Sequence, residues 1–164
     1  MIALALAAFL LAATPSFVIR GDHSVGGLPL AGTKAQAVAI FGPPTTVRVH
    51  KPYECFVSWR RYGLSVDFFA FEGAPCATGG ALTLTVTGTR WQTEKGLRIG
   101  DSVSRLRTRY PGAKLRARLG PQSGWWLVVR HACREVGGQA FPGLLARTLS
   151  GRVSAFVVSG SVCE

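Results

Sequence analysis

The chain has 164 residues, 48% of them apolar and only 16% charged, which excludes a disordered polymer and leaves one domain, or two small halves over a shared core. Its formal charge of +11 is uneven: residues 90–164 carry thirteen basic and four acidic side chains, residues 1–89 six and four. Such a field attracts anionic polymers or acidic proteins and speaks to partners rather than to fold.

Met1–Ala13 reads MIALALAAFLLAA and is followed by Thr14, Pro15 and Ser16. An apolar run of about a dozen residues is short for a bilayer span but fits the core of an export signal. Residues 1–16 therefore read as a signal peptide, cleaved between Ala13 and Phe17, for a secreted or cell-envelope protein. Residues 17–26 read as a flexible lead-in.

Residues 27–92 form the first expected unit. Thr33 suits a helix N-cap, Ala35–Phe41 holds helix-forming alanines, and Gly42, Pro43 and Pro44 stop the helix. Strands are expected over Thr45–His50, Cys55–Arg61 and Leu64–Phe71, the last two turning at Tyr62 and Gly63. Val57, Trp59, Leu64, Val66 and Phe68 are the expected core of these strands. Glu72–Gly80 is loop-like in composition, and Ala81–Thr89 alternates leucine and valine with threonine.

Residues 93–164 repeat the order of helix and then strands. Asp101 or Ser102 caps a helix whose Val103, Leu106 and Tyr110 share one face, with Arg105 and Arg109 opposite and Pro111-Gly112 as the stop. A shift of 69 positions superposes Gly27, Leu28, Leu30, Thr33, Ala37 and Phe41 on Gly96, Leu97, Ile99, Ser102, Leu106 and Tyr110. Strands follow at Lys114–Leu119, Trp125–His131, Phe141–Leu149 and Arg152–Ser159. Turns are expected at Gly120–Gly124 and Ser150-Gly151, with Ala132–Gln139 as a loop. The expected fold class is α+β: an antiparallel β-sheet with short helices packed on one face, in two similar halves.

In an oxidising compartment the four cysteines, Cys55, Cys76, Cys133 and Cys163, read as two disulfides. Three pairings are open, and the repeat favours Cys55–Cys76 and Cys133–Cys163, one bridge per half. The Gly-aliphatic approach, capped short helix, aromatic residue with a Gly-Pro stop and following antiparallel strands resemble the tandem units of the β-lactamase-inhibitory-protein-like superfamily. They are also similar to the single units of the SmpA/OmlA small outer-membrane lipoprotein family. The resemblance implies an exported, non-enzymatic binding module that docks partners on the open face of its sheet.

No GxSxG, HExxH or GxxxxGK[ST] motif occurs, and oxidised cysteines supply no nucleophile, so no catalytic residue is expected. Without a CxxC pair, neither metal nor cofactor is expected. A small secreted hydrolase built on His50 or His131 is the alternative, and it requires a cleft with a perturbed histidine beside a carboxylate. The binding candidates are Arg116 and Arg118 on one strand with Trp125, Trp126 and Arg130 on the next, residue types favoured at interface centres. Alternation allows only one of the two tryptophans on that surface; the competing reading makes one of them core and the arginines a solvated face. The expected partner is a secreted or envelope protein, the alternative an anionic envelope polymer in a structural role, and an exported destination argues against nucleic acid.

Overall fold

The computed structural model describes residues 15–119, 122–131 and 138–160, without the side chains at 51 and 117–119. Three short strands come first: β1 (Val18–Arg20), β2 (Ser24–Val25) and β3 (Leu28–Pro29). Helix α1 (Lys34–Phe41) precedes β4 (Thr46–Lys51), β5 (Glu54–Trp59) and β6 (Leu64–Phe69), with a 3-10 turn at Arg60–Tyr62. The one-turn helix α2 (Pro75–Thr78) leads into β7 (Gly80–Val86). After β8 (Gln92–Thr93) and helix α3 (Val103–Arg109) come β9 (Lys114–Leu119), β10 (Gln122–His131), β11 (Ala140–Leu149) and β12 (Arg152–Ser159).

Eight strands form one antiparallel sheet in the order β4-β5-β6-β7-β12-β11-β10-β9. Each group of four is a meander, and the two final strands, β7 and β12, pair in the middle. At that seam Thr85 faces Val157, while Leu84 faces Val158 and Val86 faces Phe156. Pairing of β6 with β7 slips between Asp67 and Phe68, and pairing of β11 with β12 slips between Arg147 and Thr148. Ahead of α1, Ala31 N–H donates to the Ala81 carbonyl and Ala81 N–H to the Gly32 carbonyl. Ahead of α3, Gly100 and Val153 N–H donate in the same way to Val153 and Asp101 carbonyls.

The helices start where the caps place them. The Thr33 hydroxyl accepts from Gln36 N–H, and the Gln36 side chain accepts in return from Thr33 N–H. Ser102, not Asp101, caps α3 by accepting from Arg105 N–H. Asp101 instead accepts from Arg98 N–H at 2.8 Å and meets Arg105 Nε at 3.3 Å, closing the turn before the helix. A cap of this kind contributes about 1 kcal/mol.

The helices cover one face of the sheet. Val57, Trp59, Leu64, Val66 and Phe68 are buried there with Leu84, Val86 and Phe156, under Ala37 and Phe41 of α1 and Leu106 of α3. In β5 and β6 every second residue is buried, so the intervening ones face away from the helices.

Residues 17–26 are not a flexible lead-in. β1 is the inner strand of a second sheet, β3-β2-β1-β8, pairing antiparallel with β2 and parallel with β8. Ile19 and Val25 are fully buried, and Phe17 meets Trp91 edge-on at 5.1 Å. Three residues of strand are too few to show a period, and Val18 finds its partner Gln92 far along the chain. Two further boundaries differ: β10 already begins at Gln122, inside the expected turn, and the expected loop 72–80 contains α2. Cys55 and Cys76 are bonded, with their Cα atoms 5.1 Å apart. Cys133 and Cys163, residues 132–137 of the expected loop and residues 1–14 of the expected signal lie outside the described residues.

Candidate functional site

The face turned away from the helices carries rows of mostly half-buried side chains, with Val157 buried and Lys114 exposed. Cross-strand pairs carry one row over the whole sheet. Its first part runs through Thr46, Ser58, Ser65 and Thr85. Across the seam it continues through Val157, Leu145, Trp126 and Lys114. The first half of the row is hydroxyl-bearing, and the second is apolar and ends in a cation.

Trp126 anchors the second part. The Arg116 guanidinium lies 5.0 Å from the Trp126 ring centroid, which holds two flexible side chains against each other at the surface. Arg147, exposed on the neighbouring row between Gly124 and Ala155, adds another positive charge. Lys114, Leu145 and Arg147 were missed at the sequence level; the strand pairing is what brings them beside Trp126.

Trp125 points the other way. It is buried beneath α3, with the Arg107 guanidinium 5.1 Å from its ring centroid and its indole N–H without a partner among the described residues. β9 pairs Ala117 with Gly124 but Leu115 with Trp125, so a bulge at Arg116 adds one residue to the strand. Beyond it Arg118 is the cross-strand partner of Ser123, and its side chain lies outside the described residues.

Arg130 is separated from this group by its own partner. Its Nε lies 2.8 Å from Oδ2 of the buried Asp22, whose Oδ1 is 3.2 Å from His23 Nε2. The pair ties the β1–β2 turn to β10. A Cβ on Gly143 would come within 2.7 Å of Arg130 and 2.8 Å of Asp22, so only glycine leaves room for it. Of the five candidates, the fold groups Arg116 with Trp126 and places Trp125 and Arg130 elsewhere.

The histidines named for a hydrolase stand apart. His50 shares a shallow pocket of about 260 Å³ with Arg48, Phe56 and Asp67 on the open face. Burial, reinforced by Glu54, pushes the Asp67 carboxyl above its ordinary value, and His50 opposes the rise. His131 borders a groove of about 380 Å³ with Leu30, Phe69, Phe71 and Arg130, and its Nδ1 lies 3.4 Å from the Gly138 carbonyl. Among the described residues no hydroxyl or thiol is hydrogen-bonded to either ring, and no cluster of three His, Cys, Asp or Glu is placed to hold a metal ion.

The raised Asp67 pKa has a sign that can be tested. The folded state holds that proton more tightly than the unfolded state, so ionised Asp67 disfavours folding at neutral pH. Asp67→Asn is expected to raise the thermal midpoint at pH 7. The advantage should shrink as pH falls through the raised folded pKa, and it should vanish below the ordinary carboxyl value of 3.8, where both states of the wild type are protonated. Melting curves of both proteins from pH 7 to pH 3 check this, and a constant gap would remove Asp67 as its origin.

These features define a mixed α+β chain of two sheets and short helices, held by a disulfide, with an open sheet face that carries a Trp–Arg pair. No protein-family model and no curated protein sequence matches it. A solved structure of an extracellular protein containing a SCP domain, from Bacillus anthracis str. Ames, is similar with a TM-score of 0.45 and 14% identity. That likeness covers 79% of this chain and 43% of the other, and at such similarity neither fold nor function transfers.

Proposed function

We propose that this protein is an exported, non-enzymatic module that binds another protein on the open face of its eight-stranded sheet. The observation that carries the reading is the Arg116–Trp126 pair beside Leu145, Lys114 and Arg147, on the side of the sheet opposite the helices. Tryptophan and arginine at the centre of an apolar patch are the side chains that dominate interface energetics. Export is supported by the apolar run at residues 1–13 and by the Cys55–Cys76 bridge, a bond that persists in oxidising compartments. The resemblance to β-lactamase-inhibitory-protein-like tandem units belongs to the same proposal.

Two similar halves, residues 27–92 and 93–164, are part of this reading. Its support is the palindromic strand order, the matching slips in β6 and β11, and the repeated hydrogen-bond pairs at residues 31, 32 and 81 and at 100, 101 and 153. The six residue pairs related by the 69-position shift agree as well. Leu28 and Leu97, Ala37 and Leu106, and Phe41 and Tyr110 are all buried, and Thr33 and Ser102 are both caps. Duplicated halves explain why the open face is continuous, and the differing sequences on that face give each half its own chemistry.

The test uses immobilised wild type, Trp126→Ala and Arg116→Ala against extracellular and envelope fractions, at low and high salt. A saturable partner retained at high salt on wild type, with affinity reduced about 30-fold or more by Trp126→Ala, is expected, which corresponds to about 2 kcal/mol. Equal capture by all three proteins would overturn the reading. Loose binding that salt removes over a narrow range would favour the second reading, an anionic envelope polymer, to which the thirteen basic side chains of residues 90–164 point.

A further inference from the structure

At the end of the sheet far from Trp126, β4 has β5 on one side and no strand on the other among the described residues, so its outward backbone N–H and C=O groups lack a sheet partner. Val47 is 45% exposed and Val49 65%, on the helix side of this edge. Tyr53 and Phe71, each 52% exposed, extend the apolar surface around the hairpin, meeting across Phe69 at 6.3 Å and 5.0 Å. Among the described residues, four of the six large apolar side chains that are conspicuously exposed therefore gather at one end of the sheet. On the other side of the same edge Arg48 and His50 are exposed, and the strand TVRVHK contains three basic residues and no acid.

An edge of this kind invites a ninth strand. A second copy of β4 is a poor one. Antiparallel pairing about Arg48 sets Arg48 opposite Arg48, and pairing about Val49 sets Arg48 opposite His50. The far edge β9, KLRARL, is no better, because its side chains are also basic. Like charges directly opposite destabilise a pair, whereas opposite charges contribute to it. The strand that fits has β-branched or aliphatic residues against Val47 and Val49 and carboxylates against Arg48 and His50. Asp67 lines the pocket with Arg48 and His50, and Glu54 is the cross-strand partner of Lys51, so the three basic residues of the edge strand stand against two carboxylates on the strands behind it.

We propose that β4 is a docking edge for an extended segment of an acidic protein, which adds to the sheet by backbone pairing and is selected by alternating apolar and carboxylate side chains. This edge is independent of the Trp126 surface, and either can fail without the other. The probe is a fluorescent peptide alternating valine with glutamate, compared with the same peptide carrying lysine for glutamate, titrated into the full chain at low ionic strength. The acidic peptide is expected to bind one to one, to slow amide exchange over residues 46–51 and to leave Trp126→Ala binding unchanged. Val49→Lys, a substitution at an exposed position that keeps the melting midpoint, is expected to weaken binding at least tenfold. Arg48→Glu should reverse the preference between the two peptides. Absence of binding, binding that survives Val49→Lys, or loss through Trp126→Ala would overturn the proposal. So would concentration-dependent dimers that Val49→Lys abolishes, since they would assign the edge to a second copy.

Discussion

Trp91→Ala is expected to lower the unfolding free energy by about 3–5 kcal/mol, the range for truncating a fully buried tryptophan. Trp91 is fully buried between the two sheets' ends, and its indole N–H donates to the Tyr62 carbonyl at 2.7 Å. Its ring meets Phe17 at 5.1 Å and Phe41 at 6.5 Å, so one side chain joins the first strand, α1 and the link into β8. The backbone of Gly26 is packed so close that a Cβ there would lie 2.9 Å from the indole. Truncation leaves a cavity and an unpaired carbonyl together, which is why the loss should sit at the upper end for a core residue. Urea unfolding checks it: the midpoint should fall with the slope unchanged. Trp91→Phe separates the two causes, since it keeps most of the volume and gives up the hydrogen bond, for about 1 kcal/mol from that bond. A loss below about 1 kcal/mol for the alanine variant would mean that Phe17 and Phe41 close over the gap and that no such keystone exists.

The second large effect is the bridge. Replacing both Cys55 and Cys76 with alanine is expected to cost about 3 kcal/mol, because the bond closes a loop of 21 residues in the unfolded chain. Folded-state consequences add to that. Cys55 is fully buried in β5, while Cys76 belongs to a four-residue helix, far too short to hold itself in water. Without the bond, α2 keeps only its packing against α1 and the first meander. Chemical unfolding of the double variant under oxidising conditions measures the loss and leaves the remaining cysteines untouched. Peptide mapping without reductant should recover Cys55 and Cys76 in one linked fragment. A double variant as stable as wild type would show that packing alone fixes the 70–79 loop.

Much of the local structure was legible from residue patterns because it depends on neighbours in the chain. Alternation along β5 and β6 named Val57, Trp59, Leu64, Val66 and Phe68 as core, and all five are buried. The helix stops and the Ser150-Gly151 turn were readable for the same reason, as short-range chemistry, whereas the Cys55–Cys76 pairing was favoured among three by assigning one bridge to each half. Ser102 and Asp101 could not be separated as caps without coordinates, since both side chains accept hydrogen bonds. The Arg130 misplacement is of another sort: nothing near it in the chain announces Asp22, which reaches it only when the β1–β2 turn folds onto β10.

The candidate surface was legible in composition and illegible in arrangement. An Arg- and Trp-rich hairpin is visible in KLRARL and WWLVVRH, and period-two alternation allows one tryptophan outward. It does not say which. The bulge between Ala117 and Leu115 then shifts the register of β9 by one residue, a slip that leaves no mark in residue types.

By itself the sequence determined the apolar run at residues 1–13, the basic balance, the α+β composition, two capped helices and the strands that bury alternate residues. Each of these follows from contacts within a few positions, where the chain's own spacing decides. Only the tertiary structure decided that residues 17–26 are woven into a second sheet, that the two meanders join through β7 and β12, and which arginine meets Trp126. Those outcomes depend on pairing between distant strands, whose register is chosen by the whole buried face at once.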